Sequence, residues 1–258
     1  MAVLLMRLVA PLQAWGVRSR FSVRSTELAP SRSGVLGLVA SAEGRRRTDP
    51  LEDLLSLRFG VRSDQPGTVI RDFHTARSLD GKESMPLSER YYLADAAFLA
   101  GIEGERSLLE GLDAALRRPA FPPYLGRRSC PPALPVPVGL RDGDLLSVLT
   151  DEPWIASPWF RRKHRAGLET EIRIDADALP EHRRRRDSRM VRDVPVSFDQ
   201  RRREYGFREV ERVPVHLGEV TGAAHGLRDP LDPMAVLGAV GQFSDPLDPM
   251  SSVIEVTS

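Results

Sequence analysis

The stretch AVLLMRLVA, residues 2–10, is apolar except for Arg7, and it decides how the rest of the sequence is interpreted. Its length and its content of Val and Leu indicate a buried strand, which we expect to end at Pro11. The next ordered segment is GVLGLVASAEG (34–44), whose apolar residues mark the buried side of a helix, with Ser31 or Ser33 as its cap. Residues 2–44 are therefore predicted to form a buried strand followed by a capped helix.

After this strand and helix, the pattern predicts a short helix capped by Asp49, three strands and a further helix. The strands are LRFGVRSDQPG (57–67), its neighbour VIRDFHTA (69–76) and YYLADAAFLAGI (91–102), and the helix is SLLEGLDAALRR (107–118). Residues 77–90 are polar without an apolar period, which indicates a protruding loop or hairpin. The order β-α-(α)-β-β-β-α resembles the ferredoxin-like, split βαβ plan. The predicted fold class is α+β.

The second half of the chain begins after a proline-rich boundary segment at 121–139. Three strands are predicted there: LLSVLT (145–150), LETEIRI (168–174) and REVERVPVHLGEV (208–220). We therefore divide the chain into a first domain at 1–138, a β-rich half at 139–221 and a Gly/Pro-rich acidic tail at 222–258, which we expect to be mobile.

The formal net charge of +1 conceals an uneven distribution. The last thirty residues contain five acids and no base, so residues 1–228 carry +6, and 35 of the 37 basic residues are Arg. Arginine is suited to bidentate phosphate contacts and to stacking on bases. A GC-rich genome raises Arg over Lys as well, and composition alone does not separate the two explanations.

Several classes of function are excluded by the sequence. The single cysteine excludes a disulfide scaffold and fits a reducing compartment. There is no apolar run long enough to cross a membrane, and the first residues lack the features of a signal peptide, so we expect a cytoplasmic protein that binds no membrane. The five His residues have no metal-binding spacing, and nucleotide and Ser-hydrolase motifs are missing. We expect no metal and no cofactor.

Arginines on turns are the more informative feature. Arg32 lies in PSRSG between Ser31 and Ser33, where a helix N-terminus and a cation together favour phosphate, although a plain capped helix explains the motif equally well. In YLGRR, Tyr124 can stack on a base while Arg127 and Arg128 bind phosphates, the alternative being a solvated turn.

Three further residues complete the candidates. His74, at a strand end, is either a general base acting on a ribose hydroxyl or a structural histidine. Arg24 lies in a basic stretch that alternates with Phe21 and Val23. Cys130 follows two arginines that favour a thiolate, but a packed core thiol is the more common case.

The motifs together resemble one known family. MRLVAPLQAWG, PSRSGVLGLVASAEG, FGVRSDQPG, RDFHTA, YYLADAAFLAGI and YLGRRSCPPALP follow in the order and spacing of the CasD-type RAMP subunits of the type I-E CRISPR Cascade. The resemblance is dense to about Pro137 and looser through VRDVPVSFDQRRREYGFREVERVPV (191–215). It does not extend into the tail.

The resemblance implies RNA binding without catalysis. A modified ferredoxin-like (RRM-like) palm and a β-hairpin thumb, here about 77–91, would hold the 5′ handle of the crRNA at one end of the complex. Its partners would be the adjacent backbone subunit, the large subunit and, through the complex, target DNA. The implied handle-binding residues are Arg24, Ser31, Arg32, Ser33, His74, Tyr124, Arg127 and Arg128. The implied thumb residues are Arg77, Lys82, Met85 and Arg90.

An enzyme is the alternative, because a type I-C relative cleaves repeat RNA without metal. His74 with Tyr91 or Lys82 would then act on a 2′-hydroxyl.

Overall fold

The apolar stretch around residues 2–10 forms β1 (Ala2–Gln13), which runs through Pro11 instead of ending there. The computed structural model describes residues 1–16, 19–20, 22–183, 188–199 and 201–218, so the predicted tail at 222–258 lies outside the described residues. The other strands are β2 (Ser19–Arg20), β3 (Val23–Arg24), β4 (Arg58–Gln65), β5 (Thr68–His74), β6 (Ser88–Gly104), β7 (Pro137–Asp142), β8 (Leu168–Asp175), β9 (Arg189–Ser197) and β10 (Glu204–Leu217). The helices are α1 (Arg32–Ala42), α2 (Glu52–Leu55), α3 (Arg106–Arg117), α4 (Leu145–Asp151) and α5 (Pro158–Lys163).

One mixed but mainly antiparallel sheet contains the ten strands of the described residues. Its central part has the order β7-β1-β6-β4, with every neighbour antiparallel, and β8, β10 and β9 extend it beyond β4. The 17-residue β6 pairs with β1, β3, β4 and β5, so it connects all parts of the sheet. The fold class is confirmed as a mixture of helices with a large antiparallel sheet.

Helices cover both faces of this sheet. Alternate residues of β1 point to opposite sides, so this apolar strand contributes side chains to a core on each face. Leu4, Met6 and Leu8 pack with α1 and α3 in the first core. Val3 and Leu5 pack with α4 and β8 in the second. The first face carries the groove described below, and the second carries α5.

The predicted protruding segment is the end of a longer hairpin. β5 pairs with the first part of β6 from Thr68↔Ala94 to His74↔Ser88, and Thr68–Phe73 are exposed on both faces of the ribbon. β5 was predicted to neighbour β4, but the two strands follow each other along one edge of β6. The turn between them needs Gly67, whose φ is +73° and whose α-carbon lies against the Ala94 carbonyl. A Cβ there would be 2.5 Å from that oxygen.

Two predictions for the second half differ from the structure. LLSVLT forms helix α4 rather than a strand, because the Asp144 carboxylate caps it by accepting from the Ser147 N–H at 3.0 Å. The division predicted between 138 and 139 falls inside β7, and Met1–Glu219 form one compact unit. No helix among the described residues has the length and apolar character needed to cross a membrane.

Candidate nucleic-acid interface

A groove of about 830 Å³ runs along α1. Its walls come from segments far apart in sequence: residues 14–16, α1, the triple arginine 45–47, the proline-rich segment 121–131 and the β9–β10 turn. Of the predicted RNA-binding residues, the groove brings together Ser31, Ser33, Tyr124 and Arg128. None of the described residues that line it is acidic.

Five guanidinium groups line the groove, and they are of two kinds. Arg45 is bound by Asp53 and Glu43, and its hydrogen bond to Asp53 raises its pKa. The other four are exposed and have no carboxylate partner among the described residues; they are Arg46, Arg47, Arg128 and Arg203. Unpaired guanidiniums are the groups that bind phosphate in two-point contacts.

Aromatic side chains lie among these arginines. Phe121 is 51% exposed, and Tyr124, Phe198 and Tyr205 are partly exposed. Phe198 packs against α1 where Gly37 leaves room, since a Cβ there would be 3.3 Å from its ring. Cations that alternate with open aromatic rings suit a single strand whose bases are unstacked.

Gly126 places the YLGRR turn beside the end of β1. It has a φ of +85°, and a Cβ would lie 1.6 Å from the Ala14 carbonyl oxygen. The Ala14 N–H donates to the Leu125 carbonyl at 3.1 Å, which fastens the two segments together. Only glycine fits this close approach, and it holds Tyr124 and Arg128 at the groove.

Arg32 does not line the groove, contrary to the prediction. Its guanidinium turns inward and donates to the carbonyls of Leu55 at 2.8 Å and Leu57 at 2.7 Å, and to Asp175 at 3.3 Å. The helix N-terminus at PSRSG is also occupied by the protein itself. The Arg32 N–H donates to the Asp193 carboxylate at 2.8 Å, so a protein anion already lies where a phosphate was expected.

Asp193 and Asp175 belong to a buried charge cluster that joins α1 to the last strands. Arg208 donates to both carboxylates, at 2.6 Å to each. Burial raises the pKa of Asp175, and Arg208 and Arg32 oppose that rise. This cluster fixes β9 and β10 against α1, and thereby positions Phe198, Arg203 and Tyr205 at the groove.

Arg127, beside Arg128, holds the base of the hairpin. It donates to the carbonyls of Tyr91 at 3.1 Å and Arg24 at 2.8 Å, and it stacks on the Tyr92 ring at 4.6 Å. The predicted role in phosphate binding therefore does not suit its guanidinium, whereas the Arg24 side chain remains exposed on β3. Neither residue lines the groove.

The remaining predicted residues lie on the hairpin, away from the groove lining. His74 Nε2 is 2.7 Å from the Asp72 carboxylate. Arg77, Lys82 and Met85 are exposed near the hairpin tip, and Arg90 is partly buried on β6. Lys82 is 3.8 Å from Asp80.

Cys130 is buried, and burial raises the pKa of its thiol, which agrees with a packed core thiol. Among the described residues, no three His, Cys, Asp or Glu side chains come together in a group able to hold a metal ion.

The groove also contains residues outside the predicted RNA-binding set. The basic run Arg45–Arg47 fits, from sequence alone, either a solvated surface or a loose contact with a nucleic-acid backbone, and no predicted site includes the turn residues Phe198, Arg203 and Tyr205. The available signal was SFDQRRREYGF (197–207), where aromatic and basic residues alternate. With these additions, the fold and the groove define a protein of mixed helices and antiparallel strands with a basic, aromatic surface suited to a single-stranded polyanion.

The family follows from comparison with known proteins. A family model described as CRISPR-associated protein (Cas_Cas5) matches residues 3–211, and the chain belongs to that family. The CRISPR system Cascade subunit CasD of Escherichia coli (strain K12) is 35% identical over 157 residues, covering 53% of this chain and 70% of the relative. The resemblance drawn from the motifs is confirmed.

Two solved structures are similar throughout the described fold. A chain of a CRISPR RNA-guided surveillance complex superposes with a TM-score of 0.67 at 30% identity, covering 87% of this chain and 94% of the other. A solved Cas protein gives a TM-score of 0.64 at 36% identity, covering 85% of this chain and all of the other (100%).

Proposed function

We propose that this protein is a crRNA-binding subunit of a type I-E Cascade complex, and that it holds the 5′ handle of the crRNA without cleaving it. The observation that carries the proposal is the groove, whose four unpaired guanidiniums and four open aromatic rings lie together without an acidic neighbour among the described lining residues. Family membership supplies the complex in which such a groove would meet a short RNA.

The groove suits a handle better than a long RNA. Four phosphate-binding side chains can neutralise only a few phosphates, and the affinity of such a surface depends strongly on salt. Aromatic rings that stack on bases and serine hydroxyls at the groove floor supply the contacts that distinguish RNA strands from one another. Specificity for target DNA would come from the guide, by base pairing.

The sheet also supports a ferredoxin-like palm, since β7-β1-β6-β4 with α1 and α3 has the strand order of two split βαβ units. The thumb would be the hairpin Thr68–Ala94, longer than the predicted 77–91. Its exposed apolar residues, which include Phe73 (49% exposed) and Met85 (59%), would contact the adjacent backbone subunit. The large subunit would bind nearby, and the complex would work in the cytoplasm.

The hairpin geometry supports a role without catalysis. His74 lies opposite Ser88, whereas Tyr91 lies opposite Arg71, three register positions away. Residues an odd number of positions apart point to opposite faces of a ribbon, so His74 and Tyr91 do not face one 2′-hydroxyl. Lys82 lies in the loop beyond His74 and pairs with Asp80.

The test removes three groove guanidiniums at once, in the variant Arg46→Ala/Arg128→Ala/Arg203→Ala. The probe is a fluorescent RNA of the cognate handle sequence, titrated into the purified chain at several salt concentrations. We expect the affinity to fall at least tenfold and the slope of log K against log salt to fall by about 2, since each phosphate contact on a single strand contributes about 0.7. Complexes purified with this variant should retain less crRNA.

A matched control removes three arginines that are already paired. Arg106, Arg117 and Arg141 bind Asp142, Asp113 and Glu152, so the triple alanine variant loses the same charge away from the groove. If the control weakens RNA binding as much as the groove variant, the groove is not the handle site.

The nuclease alternative is tested separately by incubating the purified chain with cognate repeat RNA in EDTA. We expect intact RNA. A discrete cut that disappears in His74→Ala would overturn the proposal and establish the enzyme.

A further inference from the structure

A second basic and aromatic surface lies on α5, a helix that does not line the groove. The sixteen residues 153–168 contain four Arg or Lys side chains and no carboxylate. Three of these cations, Arg162, Lys163 and Arg165, are exposed and have no ion pair among the described residues. Trp159 beside them is 49% exposed. We name these four residues the α5 patch.

The α5 patch is held rigidly by an aromatic stack. Trp159 contacts Phe160 edge to face at 5.6 Å, and Phe160 contacts Trp154 in the same way at 6.2 Å. The ring of His164 stacks on Phe160 at 4.3 Å. The Trp154 indole N–H donates to the Asp64 carbonyl at 2.8 Å, which anchors the stack to β4.

A buried ion pair completes this anchor. Arg62 and Asp64 are fully buried and bind through two hydrogen bonds of 2.7 and 2.9 Å. Arg62 also donates to the Glu152 and Pro153 carbonyls, and Asp64 accepts from the Ile155 N–H. The segment leading into α5 is therefore bound to the sheet along its length, and the α5 patch is pre-organised for a ligand.

The α5 patch and the groove belong to opposite faces of the sheet. Trp154 and Ile155 pack on the second core, whereas α1 packs on the first. A polyanion bound at the α5 patch would therefore be a second strand, or a distant part of the same strand.

We infer that the α5 patch binds single-stranded nucleic acid, with Arg162, Lys163 and Arg165 on phosphates and Trp159 stacked on a base. The absence of carboxylates from residues 153–168 makes the surface complementary to a polyanion. The exposed indole favours a single strand over a duplex, because only an unpaired base offers its face for stacking. This inference does not depend on the proposed function of the groove.

The experiment titrates fluorescein-labelled (dT)20 and a 20-base-pair duplex into the full chain. The test variant is Arg162→Ala/Arg165→Ala, and the matched control is Arg106→Ala/Arg117→Ala, which removes two paired arginines from α3. So that the groove does not compete for (dT)20, both double variants are made in the background of the groove triple variant, Arg46→Ala/Arg128→Ala/Arg203→Ala. In that background we expect the test variant to bind (dT)20 about tenfold more weakly, with the salt slope reduced by about 1.4, and the control to bind as the background protein does.

Trp159 provides a second readout with unlabelled (dT)20. Stacking should quench the intrinsic fluorescence, and Trp159→Phe should remove the quenching while retaining most of the affinity, since Phe also stacks. Equal affinities of test and control variants, quenching that persists in Trp159→Phe, or tighter binding of the duplex than of (dT)20 would each overturn the inference. Circular dichroism and thermal unfolding verify that the variants fold.

Discussion

The arginines buried around the start of α1 and the arginines lining the groove differ in what their guanidinium groups contact. Arg32 and Arg208 are nearly buried, and their partners are the carboxylates of Asp175 and Asp193, backbone carbonyls and the Phe59 ring. Arg128 and Arg203 are exposed, with no carboxylate partner among the described residues. The first pair fixes the walls of the groove, and the second is free to bind what enters it.

An arginine in a Gly- and Ser-containing turn therefore has no single role. Arg32 in PSRSG and Arg128 in YLGRR come from similar local sequences. Burial distinguishes them, because a charge taken out of water must be paired within the protein. The comparison predicts loss of stability from the buried arginines and loss of RNA binding from the exposed ones.

The largest expected effect is that of Arg208→Ala. The substitution leaves Asp175 and Asp193 buried with fewer partners, so the free energy of unfolding should fall by about 3–5 kcal/mol. Urea denaturation measures it. Arg212→Ala is the control on the same strand, since Arg212 is 47% exposed and lies 3.5 Å from Glu171. That pair should be worth at most about 1 kcal/mol. Equal losses in the two variants would contradict the comparison.

An intermediate effect is expected from Arg127→Ala, set against its neighbour Arg128→Ala. The substitution Arg127→Ala removes charged hydrogen bonds to backbone carbonyls of β3 and β6. Together these bonds contribute about 1.5–3 kcal/mol to the free energy of unfolding. Hydrogen exchange should quicken in β3 and at the hairpin base, with RNA affinity changed little. Arg128→Ala should leave the unfolding free energy within about 0.5 kcal/mol and weaken RNA binding. If Arg127→Ala instead weakened RNA binding and Arg128→Ala lowered stability, the roles assigned to these two neighbours would be wrong.

The sequence predicts the first part of the fold well, because β1 and β6 contain long apolar runs, the leucines of α3 have helical spacing, and α1 and α3 have clear ends. It predicts α4 wrongly, since a short apolar run such as LLSVLT fits a buried strand and a buried helix equally. The Asp144 cap, at the spacing that reaches the Ser147 N–H, was the signal that distinguishes them. The register of β5 depended on the turn at Gly67, which periodicity does not reveal.

The site is less predictable than the fold, because its parts meet only through tertiary packing. Arg128 and Arg203 are 75 positions apart and reach one groove only because the cluster around Asp193 binds β9 and β10 to α1. Local motifs pointed to Tyr124 and Arg128, which do line the groove on a turn built by Gly126. They could not show that Asp193 occupies the helix N-terminus that appeared open in PSRSG.

The smallest expected effect concerns Arg45, which lines the groove but is paired. Its hydrogen bond lowers the pKa of Asp53, whose side chain is 41% exposed. Asp53→Asn removes one of the two charges that hold this guanidinium, the other being that of Glu43, so handle RNA should bind about two- to threefold more tightly at low salt. The unfolding free energy should fall by less than about 1 kcal/mol. Because Arg45 lowers the pKa of Asp53 in the folded protein, the ion pair stabilises the fold at pH values above the pKa that Asp53 has in the unfolded chain. This stability is lost as the pH falls through the folded pKa of Asp53. The unfolding free energies of wild type and variant should therefore become equal in acid.

Asp113→Asn is the matched control for this prediction. It releases Arg117, which is held by Asp113 at 2.7 Å on α3 and does not line the groove. The control should lose similar stability and gain no RNA affinity. A gain in both variants would show that net charge alone governs binding, whereas a gain in neither would show that Arg45, still paired with Glu43, does not reach the strand without the Asp53 charge. A gain confined to Asp53→Asn would show that Arg45 binds RNA once Asp53 no longer holds it. The contrast between paired and RNA-binding arginines would then be reproduced at a single residue.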